Sequence, residues 1–250
     1  MKHSFLLIGQ SNASGRGIPS EVEPINNDKL FVYRNGRWRN MYVPVCPDAV
    51  SAGICFIESF ADLYSKERNV EVGIIPCAIG GTNLDQWVEG GVVFDNALHM
   101  AELASRTSTI AGVLWHQGES DCHPDKYPLY EQKLEKILGA YRKKLNLNDV
   151  PFLVGGLGEY LEFCPKSDIF KNYKYVNDQL KHYAENTPLT GFVSAEGLTP
   201  NPDCMHFNAK SLRELGVRYY NEFVKLEDKT KIFSERHTAD SDIKTEIEHL

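Results

Sequence analysis

No run of apolar residues in the chain approaches the roughly 18 that a membrane-spanning helix needs, so no helical membrane contact is expected. Clustered cations are equally scarce. Lys143-Lys144 is the densest basic pair, and Asp plus Glu outnumber Lys plus Arg by 34 to 27, a formal charge of −7. A phosphate backbone calls for a basic surface, so nucleic acid is not expected as a partner. Six cysteines (Cys46, Cys55, Cys77, Cys122, Cys164, Cys204) show no paired spacing, which argues against a disulfide framework. Cys55 and Cys77 sit in apolar contexts, as small core residues do. Neither C-x₂-C nor H-E-x-x-H occurs, and the runs Asp121–Asp125 and Asp203–His206 lack ligand spacing, so no metal and no cofactor is expected. Internal repeats and low-complexity tracts are missing too. Lys2 and His3 precede the apolar Phe5–Ile8, but that run is too short for a signal core and no small-residue cleavage site precedes Gln10, so a cytoplasmic protein is expected.

What is present is the composition of an ordinary globular protein: 250 residues, 42% hydrophobic and 24% charged, enough for one α/β domain. Short apolar runs (Phe5–Gly9, Val72–Ile79, Ile110–Trp115, Val150–Val154 and Thr190–Ser194) alternate with amphipathic stretches at Gly53–Lys66, Val92–Arg106, Tyr127–Leu145, Ile169–Asn186 and Asn208–Leu226. Leu212, Leu215, Tyr219 and Phe223 recur at the spacing of one helix face. Five strands without polar alternation, each followed by a helix, predict a mostly parallel sheet buried on both faces by helices. Asn35-Gly36 between alternating residues predicts a β-hairpin inserted at about 28–42. Residues 1–226 then form one domain, and 227–250 a charged tail in which Ile243 and Ile247 could mark a short helix.

Four polar segments fall at strand ends or at a helix entry: Gly9–Asn12, Gly80–Asn83, His116–Asp121 and Asp203–His206. Parallel strands deliver their carboxyl ends to one edge of the sheet, where ligands bind in such folds. The segments bring a candidate nucleophile, base, orienting acid and oxyanion donors to that edge. Glu119 is an alternative to Asp203 as the acid, a brace for the Ser11 turn, or a cap for the helix that follows. Gln10 and Asn12 tie neighbouring loops, and with Asn83 they are candidate substrate contacts. Trp87 reads as core or as a face for a sugar ring.

The segments GQSN–SGRG, IPCAIGGTNLDQW, WHQGESD and Asp203-x-x-His206, in that order over about residues 4–225, resemble the SGNH hydrolases, and within them the sialate O-acetylesterase-like and acetylxylan esterase branch. The resemblance implies a flavodoxin-like three-layer sandwich with a central five-stranded sheet in the order 2-1-3-4-5. It implies Ser11 as nucleophile, His206 as its base and Asp203 as the acid holding the imidazole tautomer. The oxyanion would be held by the backbone N–H groups of Ser11 and Gly81 (or Gly80) and by the Gln117 side chain, in place of the asparagine most SGNH enzymes use. Ala13, where many relatives carry Met, implies a roomier pocket floor. The implied reaction removes an O-acetyl group from a small acetylated sugar or oligosaccharide without a cofactor. Rival readings are a lipid or thioester hydrolase, or a silent carbohydrate-binding protein, and homo-oligomerisation is left open.

Overall fold

The computed structural model describes residues 1–165 and 167–227, so the tail expected at 227–250 lies outside the described residues beyond its first position. Seven strands form one sheet: β1 (His3–Gly9), β2 (Leu30–Arg34), β3 (Arg37–Asn40), β4 (Val72–Pro76), β5 (Thr109–His116), β6 (Phe152–Gly155) and β7 (Thr190–Val193). Their order is β3-β2-β4-β1-β5-β6-β7, and every pairing is parallel except that of β2 with β3. The five strands expected from the apolar runs keep the order 2-1-3-4-5. The hairpin enlarges the sheet from five strands to seven, because Leu30, Phe31 and Val32 pair in parallel with Val72, Gly73 and Ile74. Its turn is as expected, with Asn35 and Gly36 at φ of 50° and 73°.

The long helices are α2 (Phe56–Arg68), α3 (Val92–Ser105), α4 (Tyr130–Lys144), α6 (Tyr173–Asn186) and α7 (Ala209–Glu227), with single turns at α1 (Ser11–Ser14) and α5 (Ser167–Phe170). Alternation along the central strands assigns the layers. Phe5 of β1 meets Phe60 and Tyr64 of α2 and Phe223 of α7 edge-on, at centroid distances of 4.8, 4.8 and 5.7 Å. His116 of β5 faces the same side, against Phe56 and Tyr219. Its neighbour Trp115 points the other way, to Trp87 and to the Tyr130 hydroxyl of α4. Phe94 of α3 stacks on Tyr141 of α4 in that second layer.

Three helix starts differ from the expectation for local reasons. Residues 53–55 are extended, since Ile54 bridges Gly17, and α2 begins only after Cys55, whose backbone N–H donates to Glu58 Oε1 at 2.8 Å. Pro128 makes the first turn of the expected 127–145 helix 3₁₀, so α4 starts at Tyr130. The stretch from 169 to 186 is broken into α5 and α6. Among the described residues no helix is long and apolar enough to cross a membrane.

Candidate active site

β1 is the central strand, and it stops abruptly. Gly9 adopts φ of 131°, and a Cβ there would lie 2.1 Å from the His116 carbonyl oxygen, so only glycine lets the chain pass β5 this closely. The chain then turns directly into α1, whose first residue is Ser11. Gln10 fixes the turn to the end of β5 by accepting from the N–H groups of Gly118 and Ser120, both at 3.3 Å.

Across the cleft, the loop before α7 carries His206. Its Nε2 lies 2.9 Å from Ser11 Oγ and its Nδ1 lies 2.6 Å from Asp203 Oδ2. Asp203 also accepts the N–H groups of Met205 and His206 through Oδ1, at 2.9 and 3.0 Å. Partial burial pushes the Asp203 carboxyl up, but these bonds outweigh it and hold the group below the usual carboxylate range. An ionised carboxylate at Nδ1 requires the ring proton there, which leaves the Nε2 lone pair facing the serine hydroxyl. The structure therefore joins Ser11, His206 and Asp203 in one chain of hydrogen bonds, with Asp203 and not Glu119 on the imidazole.

Glu119 is buried beside this chain and touches it through Asn12. Asn12 Nδ2 donates to Glu119 Oε1 at 2.5 Å and to the Met205 carbonyl at 3.3 Å, while Asn12 Oδ1 accepts the Phe207 N–H at 3.1 Å. One side chain thus grips the peptides on both sides of His206. Burial raises the Glu119 pKa, opposed mainly by the Asn12 bond.

Ser11, His206, Gly80, Gly81 and Glu119 border a cavity of about 440 Å³ at the carboxyl edge of the sheet. Among the described residues no acceptor meets the N–H of Ser11 or of Gly81, whereas the Gly80 N–H is taken by Asp48 Oδ2 at 2.6 Å. That distinction favours Gly81, at φ of 75°, over Gly80 as a free donor.

Four of the expected residues are placed elsewhere, and Asn12 is one of them: it is buried, both ends of its amide are taken within the protein, and it does not border the cavity as a substrate contact would. Gln117 does not offer its amide to the cavity. It is fully buried, with Nε2 donating to the Thr82 carbonyl at 3.1 Å and to Asp121 Oδ2 at 2.6 Å, and Oε1 accepting from the Tyr130 hydroxyl. Trp87 is fully buried as well, bonded to Thr82 Oγ1 and packed edge-on against Trp115 at 5.4 Å, so its face is closed to a sugar. Asn83 caps a 3₁₀ turn by accepting the Asp85 N–H at 3.0 Å and lies off the cavity.

Arg16 and Asp48 border the cavity without having been singled out from the sequence. They pair through two bonds, of 3.0 and 2.8 Å. Arg16 stood in the quoted SGRG segment. Nothing local marks Asp48, which meets it from 32 positions away. Among the described residues no cluster of His, Cys, Asp and Glu is arranged to hold a metal ion.

A family model described as "Carbohydrate esterase, sialic acid-specific acetylesterase" matches residues 1–225. The chain is 25% identical over 242 residues to a probable carbohydrate esterase of Arabidopsis thaliana, covering 85% of this chain and 86% of that one. The solved structure of that plant protein superposes with a TM-score of 0.80 at 21% identity, over 90% of this chain and 98% of the other. The structure of NanS superposes at 0.74 with 15% identity, covering 91% and 98%.

Proposed function

The chain belongs to the carbohydrate esterase family of sialic acid-specific acetylesterases, which are carboxylic ester hydrolases, and from that membership we propose that it deacetylates a sugar through a covalent acyl-enzyme on Ser11. The observation that carries this reading is the chain Ser11 Oγ–His206 Nε2, His206 Nδ1–Asp203 Oδ2, at 2.9 and 2.6 Å. A serine hydroxyl is a weak nucleophile until a neighbouring base takes its proton.

In the first half-reaction Ser11 Oγ attacks the acetyl carbonyl and its proton passes to His206 Nε2, Asp203 stabilising the imidazolium. The carbonyl oxygen becomes an oxyanion facing the N–H groups of Ser11 and Gly81. The tetrahedral species collapses, the C–O bond to the sugar breaks, and the imidazolium protonates the departing alkoxide. In the second half-reaction water gives its proton to His206 and attacks the acetyl-serine. Acetate leaves and Ser11 regains its proton. No step calls for a cofactor. A cavity of about 440 Å³ matches an acetylated sugar ring, at the small end of ligand sites.

A serine-directed organophosphonate tests the assignment. It should label wild-type protein once, at Ser11, and leave Ser11→Ala unlabelled. Labelling that persists in Ser11→Ala, or that maps to Ser14 or Ser120, would overturn it.

A further inference from the structure

Ser11 and Gly81, whose N–H groups face the oxyanion in the reaction above, belong to separate loops. Ser11 opens α1 after β1, and Gly81 follows β4. Backbone pairing keeps the two loops in step as far as the Ile79 N–H, which donates to the Gly9 carbonyl at 3.0 Å. The next N–H, that of Gly80, turns to a side chain and donates to Asp48 Oδ2 at 2.6 Å. Asp48 comes from the connection between β3 and α2, and its two carboxylate oxygens accept Arg16 Nη1 and Nη2 at 3.0 and 2.8 Å. Arg16 Nη1 donates as well to Ser14 Oγ and to the Gly15 carbonyl, at 2.7 and 2.9 Å. Ser14 Oγ in turn donates to the Ser11 carbonyl at 3.1 Å. An unbroken run of hydrogen bonds therefore leads from the Gly80 peptide to the Ser11 peptide, through an ion pair whose side chains are both below a tenth exposed. The loop of the base is tied to the same residue. Asn201 Nδ2 donates to the Arg16 carbonyl at 2.8 Å, and the Asn201 N–H donates to the His206 carbonyl at 2.6 Å.

We infer that Arg16 and Asp48 are positioning residues for ester hydrolysis: the pair sets the Gly80–Gly81 segment against Ser11, so that both N–H groups meet one oxyanion. Packing alone does not set it. A Cβ on Gly81 would meet nothing within 4 Å, and the Ser120 Oγ bond to the Gly81 carbonyl is long, at 3.3 Å. At Gly80 the contact is close, since a Cβ there would lie 2.5 Å from Arg16 Nη2 and 2.9 Å from Asp48 Oδ2. A bidentate guanidinium–carboxylate pair holds one geometry where a single bond would allow many. Oxyanion donors stabilise charge only if they are in place before it develops, and a misplacement of about 1 Å costs about 10²-fold in rate. The inference rests on the esterase reading above and deepens it.

Both side chains border the cavity, so the rival role is direct contact with the sugar, and the test separates the two. Asp48→Ala and Asp48→Asn are assayed on p-nitrophenyl acetate and on an acetylated sugar that the wild type turns over, with melting temperatures recorded. Asp48→Ala frees the Gly80 N–H, and its kcat should fall by about 10²-fold on both substrates, with KM within about threefold of wild type. The factor is shared because both esters pass through the same acetyl-serine and the same oxyanion. Asp48→Asn keeps an oxygen for the Gly80 N–H and should recover activity to within about tenfold of wild type, at a melting temperature no higher than that of a folded Asp48→Ala. A loss confined to the sugar, or to KM, would overturn the inference and make the pair a substrate contact. An Asp48→Ala within about threefold of wild type, or an Asp48→Asn as crippled as Asp48→Ala, would overturn it too. Should Asp48→Ala fail to fold, Arg16→Lys takes its place. A lysine keeps the charge but not the fork, so kcat should drop about tenfold on both substrates, and unchanged rates would refute the role given to the pair. In each of these outcomes wild-type turnover leaves the esterase reading standing. Wild-type protein silent on p-nitrophenyl acetate and on every acetylated sugar would bring that reading down, and the inference with it.

Discussion

Replacing Asp203 with asparagine changes one atom and reverses one proton. Asp203 Oδ1 accepts two backbone N–H groups, at 2.9 and 3.0 Å, while Oδ2 accepts the His206 ring at 2.6 Å. In the asparagine variant the amide oxygen has two choices. If it stays on the two backbone donors, the NH₂ group points at Nδ1. The ring must then carry its hydrogen on Nε2, aimed at Ser11, where it takes no proton. If the amide flips, the useful tautomer returns, but two backbone hydrogen bonds are lost and two sets of donors face each other. That arrangement costs about 2–4 kcal/mol. The productive state is then populated at about one part in 30 to one in 1,000. Loss of the negative charge facing the imidazolium removes about another factor of ten. Together kcat should fall by about 10²–10⁴. KM should hardly move, because Asp203 does not border the cavity. The assay is initial-rate hydrolysis of p-nitrophenyl acetate together with acetate release from an acetylated sugar, on variants shown to melt near wild type. Glu119→Gln is the companion. It keeps an oxygen for Asn12 Nδ2 and should retain activity to within about tenfold. A nearly silent Asp203→Asn beside a crippled Glu119→Gln would refute the reasoning and make Glu119 the acid.

Further outcomes follow from the same geometry. Asn12→Ala releases the peptides flanking His206 and should lower kcat by about 10–10²-fold with KM unchanged; a change confined to KM would contradict a positioning role. Gln117→Ala takes the Gln117 donor from the Thr82 carbonyl and leaves the Asp121 carboxylate with the Leu84 N–H, and denaturant unfolding should show a loss of about 2–4 kcal/mol. A large fall in kcat at unaltered stability would instead turn the amide back toward the oxyanion. His116 is fully buried, and burial pulls its ring from 6.5 down to about 3. The unfolded ring binds a proton below about pH 6.5 that the folded ring refuses, so stability should drop as pH falls from about 6.5 toward 3, by up to about 1.4 kcal/mol per unit. His116→Phe should flatten that slope in unfolding curves taken across this range, and an identical slope would exonerate His116.

The sheet was legible because its strands are apolar on both faces, and the hairpin because Asn35-Gly36 accepts left-handed backbone where few residues do. Ser11, His206 and Asp203 were legible as motifs at strand ends and a helix entry. The direction of a side chain was not. Gln117 follows β5 as expected, but the Tyr130 hydroxyl from α4 and Asp121 draw its amide inward, and no local pattern announces that. Trp87 is settled by Trp115 in the same way. The Arg16–Asp48 pair depends on two loops meeting, and sequence periodicity carries no trace of such a meeting. Edge strands joined the sheet for a related reason: a hairpin announces its own turn, yet only the exposed edge of β4 decides where it docks.

The span of the Ser11–His206 contact has a consequence for synthesis. The two residues are 195 positions apart, and Asn12 is as far from Phe207. A growing polypeptide leaves the ribosome from its amino end, so Ser11 emerges long before its base has been translated. Even β1 must wait, since its neighbour β5 ends at His116. On the proposed acyl-enzyme mechanism, hydrolytic competence arrives with the docking of α7, the last described element, and a nascent or prematurely terminated chain carries an inert serine. A chain severed between Lys144 and Val150, in the link between α4 and β6, would give two silent halves whose activity returns only when they reassemble.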